Sequence, residues 1–172
     1  ELSSVSIKEV EEDRSINKKG LQVFGTVTKS AVATGAELVA YSGFSASNYL
    51  QQPYNSDLDF GTGDLSIIFW YKLTSTGTPQ CFIHRGDGSS GTWGSGNIIQ
   101  IEMDTSHIEF QLAGPSFVPN TEAEVSVDVA ATGEWQHFVA VRKDGYMHIY
   151  IDGAKYGNVA STQNVTNTSA KL

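Results

Sequence analysis

Glu134-Trp135-Gln136-His137-Phe138-Val139-Ala140-Val141-Arg142-Lys143-Asp144-Gly145-Tyr146-Met147-His148-Ile149-Tyr150-Ile151-Asp152-Gly153 is the stretch whose reading decides the fold. Two runs rich in β-branched and aromatic residues flank a single Asp-Gly, the combination that a tight β-hairpin demands. Asp-Gly suits a type I′ turn because both central residues need positive φ. A two-residue loop places His137 across from Asp152, a structural cross-strand pair. Trp135, His137, Val139 and Val141 share one face of the outgoing strand and are expected to be scaffold, with Met147, Ile149 and Ile151 on the returning strand. A second Asp-Gly, Asp152-Gly153, ends that strand.

The rest of the chain has the same character. Leu65-Ser66-Ile67-Ile68-Phe69-Trp70-Tyr71 carries bulky residues on both faces, so it reads as a central strand covered on both sides, with Trp70 in the core. Residues 79–85 form a further strand, in which Cys81 reads as a small buried hydrophobe. Residues 98–103 and 107–112 alternate around a polar turn at 104–106 and form a second hairpin. Residues 86–96 and 114–123 are loops rich in Gly, Ser and Pro. Upstream, 4–8 and 20–24 read as strands, 9–19 as a solvated linker, 26–36 as loop, 44–51 as a strand, and 53–64 as a long turn. The one stretch compatible with a helix is 36–41. Many short strands with frequent turns predict an all-β, two-sheet antiparallel sandwich of jelly-roll type. Residues 1–40 read as an N-terminal strand and linker, and 41–172 as the sandwich.

Composition narrows the function classes. The chain has 172 residues, enough for one domain with a sizeable core. Its formal charge of -8 and its lack of any Lys/Arg cluster argue against a phosphate-binding surface, so no nucleic-acid partner is expected. No apolar run approaches the roughly 20 residues of a membrane helix, so no membrane insertion is expected. With Cys81 as the sole cysteine, no disulfide forms within the chain.

Residues 57–70, Asp57-Leu58-Asp59-Phe60-Gly61-Thr62-Gly63-Asp64-Leu65-Ser66-Ile67-Ile68-Phe69-Trp70, resemble the opening of laminin-G-like domains of the concanavalin A-like lectin and glucanase superfamily. Glu134–Arg142 followed by Tyr150-Ile151-Asp152-Gly153 resembles the late hairpin of the same family, in the expected order. Val23–Lys29 and Tyr54-Asn55-Ser56-Asp57 resemble a stretch recurrent in marine bacteriophage structural proteins, and Val5–Val10 resembles the closing strand of an upstream module there. These resemblances imply a β-sandwich that binds glycans, at a virion surface or outside the cell. Relatives usually continue past the position of Lys171-Leu172 with closing strands. An unfilled gap there would leave a sheet edge through which a homo-oligomer forms.

The chemistry favours binding over catalysis. A retaining glycosidase needs two carboxylates about 5 Å apart. Glu102 and Asp104 share a strand face, but Ser106 and His107 stand where the family's hydrolases place a further glutamate. Glu102 therefore reads as a solvated face residue and the protein as not an enzyme, with a glycoside hydrolase as the distant alternative. A pyranose offers an apolar C–H face to an aromatic ring and hydroxyls to Asp or Asn. The expected ligand-binding residues are therefore Trp93, Asp87 and Asn97 in one loop, and Tyr54 with Asn55 in another. A loop aromatic either packs onto its own sheet or faces a ligand, and the sequence leaves both open. Asp57, Asp59 and Asp64 offer hard oxygen ligands for calcium, or else cap local N–H groups. The functional expectation is a carbohydrate-binding or adhesion module that recognises a glycan or cell-surface polysaccharide, with a purely structural module of a larger assembly as the alternative.

Overall fold

The structure is a computed structural model that describes residues 20–86, 97–115, 122–168 and 170–172. The expected strand over 4–8, the linker over 9–19 and nearly all of the 86–96 loop lie outside the described residues. The chain divides into two compact units, Glu1–Pro53 and Tyr54–Leu172.

In the first unit, β1 (Gln22–Phe24) pairs antiparallel with β4 (Tyr49–Gln51), and β2 (Thr28–Ala31) with β3 (Val39–Ser42). Phe24 stacks on its cross-strand partner Tyr49 at 4.7 Å between ring centres. Two sequence expectations are corrected here. Residues 26–36 contain a strand rather than only loop, and 36–41 enters β3 rather than a helix. Small polar residues conceal β2 because its ladder rests on backbone bonds with little side-chain burial to mark it. The expected strand over 44–51 shrinks to β4, because Ser45 and Asn48 close a short bridged turn.

The second unit holds two four-stranded antiparallel sheets. One has the order β12-β11-β10-β5, from β5 (Leu65–Lys72), β10 (Trp135–Lys143), β11 (Tyr146–Ile151) and β12 (Ala154–Ala160). The other has the order β6-β7-β8-β9, from β6 (Gln80–Arg85), β7 (Ile98–Asp104), β8 (His107–Ala113) and β9 (Ala123–Asp128). Their inner faces meet in one core that includes Ile101, Phe110, Phe138 and Ile149, all 0% exposed. Each such side chain contributes about 1.5–3 kcal/mol by leaving water. The all-β antiparallel sandwich expected from the sequence is therefore the observed fold.

The hairpin register is as expected. Lys143 pairs with Tyr146, Val141 with His148 and Phe138 with Ile151. Asp144 and Gly145 have φ of 51° and 78°, the two positive values a type I′ turn requires. Asp152 and Gly153, at 50° and 83°, make a second such turn into β12.

The facing of these strands differs from the sequence reading. The core side of β10 is Phe138, Ala140 and Arg142, while Trp135, His137, Val139 and Val141 lie on the outward side. In β5 the inward residues are Leu65, Ile67, Phe69 and Tyr71, and Ile68 and Trp70 are each 62% exposed. Trp70 is thus a surface residue on a rigid strand, and β5 is covered on one side only. Both faces of these strands carry apolar side chains, so the two-residue period cannot say which one is buried. Cys81 is also exposed, contrary to the buried reading.

Candidate functional site

Tyr54, Asn55, Asp59 and Asn97, four of the residues expected to bind a ligand or metal, belong to a polar network around the C-terminal segment. Arg85 is 1% exposed and forms an ion pair with Asp59. Its guanidinium also donates to the carbonyls of Val165 at 3.1 Å and Asn167 at 2.9 Å. Asp59 accepts further bonds from the Tyr54 hydroxyl at 2.8 Å and the Asn167 N–H at 3.1 Å. Burial alone would raise the Asp59 carboxyl, but the bonds from Tyr54, Arg85 and Asn167 and the Arg85 charge hold it below the usual carboxylate range. The bond to Asp59 raises the Tyr54 phenol. The Asn97 side chain donates to the Thr166 carbonyl, and Asn55 caps the short 3-10 turn Ser56–Leu58 through the Asp57 N–H at 3.0 Å.

Arg142 does the same work at the other end of that segment. It is 0% exposed and donates to the carbonyls of Gly63 at 2.8 Å, Gln163 at 2.6 Å and Gly61 at 2.9 Å. Burial lowers its pKa, and Asp64 offsets part of this. Asp64 itself accepts from the Asp144 N–H at 2.9 Å at the hairpin turn. The aspartates at 59 and 64 therefore serve different contacts. Among the described residues no group of three or more His, Cys, Asp or Glu is placed to hold a metal ion. Trp93 and Asp87 lie outside the described residues.

Two outward faces remain as candidate sites, and the sequence reading assigned neither. On the β5-β10-β11-β12 sheet, Trp70 lies opposite His137 with ring centres 5.0 Å apart. The Asp152 carboxylate accepts the His137 backbone N–H at 2.8 Å, so the expected 137–152 pairing holds, but through the backbone rather than the imidazole. Lys72 and Ile68 flank Trp70 on β5, and their cross-strand partners are Trp135 and Val139. The face ends in a depression of about 290 Å³ lined by Val141, Lys143, Asp144, Tyr146, His148, Tyr150 and Asn158. It combines exposed rings, imidazoles, a carboxylate and a lysine on strands that hold them rigidly. The missed signal was a second apolar row on strands already supplied with one.

The outward face of the other sheet is polar. Gln100 and Glu102 of β7 stand opposite Gln111 and Glu109 of β8. His84 Nδ1 lies 2.8 Å from Gln100 Oε1, and His107 Nε2 lies 2.9 Å from Asp128. Burial raises the Glu109 carboxyl to about 7, reinforced by Glu124, Glu102 and Asp104. Burial raises Glu102 as well, so the expectation of a freely solvated Glu102 is corrected.

Residues 44–172, more than half of the chain, match the laminin-G-type family model described as the concanavalin A-like lectin/glucanases superfamily. No curated protein matches the sequence. Among solved structures, the botulinum neurotoxin serotype D binding domain aligns with a TM-score of 0.57 at 15% identity, covering 91% of this chain and 38% of that one. Domains LG4-5 of the mouse laminin α1 chain align at 0.45 and 15% identity, covering 63% and 27%. The Bacillus licheniformis β-glucanase aligns at 0.49 and 16% identity, covering 94% and 80%. The chain spans less than half the length of the first two. At these identities the likeness is one of fold.

Proposed function

Because the chain belongs to the concanavalin A-like lectin/glucanases superfamily, we propose that it is a non-catalytic glycan-binding module whose sugar platform is the outward face of β5, β10 and β11. The module would serve a secreted or virion-surface protein in attachment to a polysaccharide. The observation that carries this reading is Trp70, a tryptophan 62% exposed on a strand interior beside His137. A large ring left in water on a rigid element loses the burial free energy it would gain in a core. It is therefore suited to receive the C–H face of a pyranose without paying for loop ordering. Asp152 and Lys72 stand at the ends of the same patch to bond hydroxyls.

The platform fits an extended chain better than one sugar. Four residues along β10 separate Val141, at the depression, from His137, beside Trp70, which is roughly 13 Å at about 3.4 Å per residue. That span corresponds to an oligosaccharide lying along the strand. Glycan-array screening followed by calorimetry tests the reading. The wild-type protein should retain at least one oligosaccharide, and Trp70→Ala should weaken it at least tenfold, the loss of one base-sized stacking contact of about 1–3 kcal/mol. Because Trp70 is largely exposed, its removal should change stability by no more than about 0.5 kcal/mol. Equal binding by both proteins would refute the platform.

A second reading, glycoside hydrolysis, has one observation in its favour. Glu102 and Glu109 are cross-strand neighbours, and Glu109 is raised to about 7, as a general acid requires. Release of reducing ends from a bound oligosaccharide, lost in Glu109→Gln, would establish it; unchanged oligosaccharide after prolonged incubation would exclude it for that ligand.

A further inference from the structure

The polar face of β6-β9 contains an arrangement that the tryptophan platform does not use. Gln111 is 2% exposed, and its Nε2 donates to Glu109 Oε2 at 2.9 Å and to Glu124 Oε2 at 3.0 Å. Reversing the amide would set an oxygen against both carboxylates, so its orientation follows from its neighbours. The Gln111 Oε1 that results is a buried acceptor with no hydrogen-bond partner. Native proteins rarely leave such an atom unsatisfied, and where they do a ligand or ion often completes it.

The charges around it all have one sign. Facing Glu109 are Glu102 and Asp104 from β7 and Glu124 from β9, with His107 on β8 itself. His107 is turned toward Asp128 at 2.9 Å, and His84 of β6 is joined to Gln100 at 2.8 Å. The Gln100 side chain bonds Glu102. None of the described residues that face this cluster is a lysine or arginine. The cluster thus offers several carboxylates and an amide oxygen as acceptors, while its two glutamine amides are already engaged. Like charges half-buried together resist ionisation, which is why Glu109 is pushed up to about 7. The side chains are not disposed to share a metal ion.

We propose that this face is a second ligand site, for a protonated primary amine held by Glu102 and Glu109 and donating to the free Gln111 Oε1. An ammonium group supplies three donors and a positive charge, which is what an acceptor-only, anionic site lacks. A neutral hydroxyl supplies neither the charge nor enough donors. Amino sugars and aliphatic polyamines share this chemistry. Bound ammonium favours the ionised Glu109, so binding displaces its proton and tightens as pH rises through about 7.

The test is calorimetry on the whole chain with three probes: a deacetylated glucosamine oligomer at pH 6, its N-acetylated counterpart, and putrescine, whose amines stay charged, at pH 6 and pH 8. The amine-bearing probes should bind and the acetylated oligomer should not displace them. Putrescine affinity should rise by about fivefold to tenfold between the two pH values. Glu109→Gln should weaken amine binding by about tenfold or more and abolish that rise. Binding of the oligomer alone assigns an amino sugar, and binding of putrescine alone assigns a polyamine. If Glu109→Gln fails to fold, a carboxyl-carbon NMR titration of the wild-type protein decides, since putrescine must lower the Glu109 midpoint. No binding by either amine, an unchanged midpoint, or calcium chloride binding with the same Glu109 dependence would overturn the site.

Discussion

Arg142 places a charged group among the core side chains with its donors aimed at the carbonyls of Gly61, Gly63 and Gln163. Those carbonyls belong to loops that no ladder satisfies, so the arginine replaces the backbone partners they would otherwise need. Arg142→Ala removes all three bonds and leaves a cavity. The expected loss is about 3–5 kcal/mol, seen as a lower urea midpoint with an unchanged slope. Nothing in the sequence announces this role. Arg142 falls on the same alternating face as Phe138 and Ala140, and a charged residue there argues for the solvent side. The ligand reading of Tyr54 and Asn97 has a similar limit: polar residues in a loop look alike whether they face water or brace a buried arginine such as Arg85.

At the scale of elements, the β10–β11 hairpin was legible to the residue in register and not in facing. Its Asp-Gly turn sets the pairing by backbone geometry alone, whereas facing depends on what lies above and below, which is tertiary information. β9 escaped the sequence reading although Ala123, Val125 and Val127 alternate with Glu124, Ser126 and Asp128, because small residues mute the pattern. β12 lacked a signal of its own: it carries a glycine, Gly157, and pairs with β11 through an irregular register. Glu109 on β8 gives this sheet a measurable pH dependence. Its folded value, about 7, lies above that of an unfolded glutamate, so the native state holds the proton more tightly. Its contribution is complete below about pH 4.5 and is lost as pH rises through about 7. The melting temperature should therefore fall between pH 5 and pH 7.5, by the equivalent of roughly 2–3 kcal/mol, and Glu109→Gln should flatten that slope.

For the whole molecule, every member of the described hydrophobic core lies between Phe60 and Val165. The Tyr54–Leu172 unit therefore contains its own core, and its C-terminal segment is tied down from within by Arg85 and Arg142. A fragment of residues 54–172 should unfold cooperatively in urea, and limited proteolysis of the full chain should leave a resistant product of about that size. A fragment that melts without cooperativity would show that residues 1–53 complete the fold. The sandwich class itself was readable because turns and apolar runs recur along the whole chain, while the outward faces became visible only once two sheets had claimed their inner ones.

The central claim is that Trp70 receives a sugar, and indole N–H spectra test it most directly. The three tryptophans, Trp70, Trp93 and Trp135, give separate signals, assignable by substitution. Titration with an oligosaccharide selected on the array should shift the Trp70 indole strongly, with smaller changes at Trp135 and His137. A shift confined to Trp93, or no indole shift at saturating oligosaccharide, would contradict it.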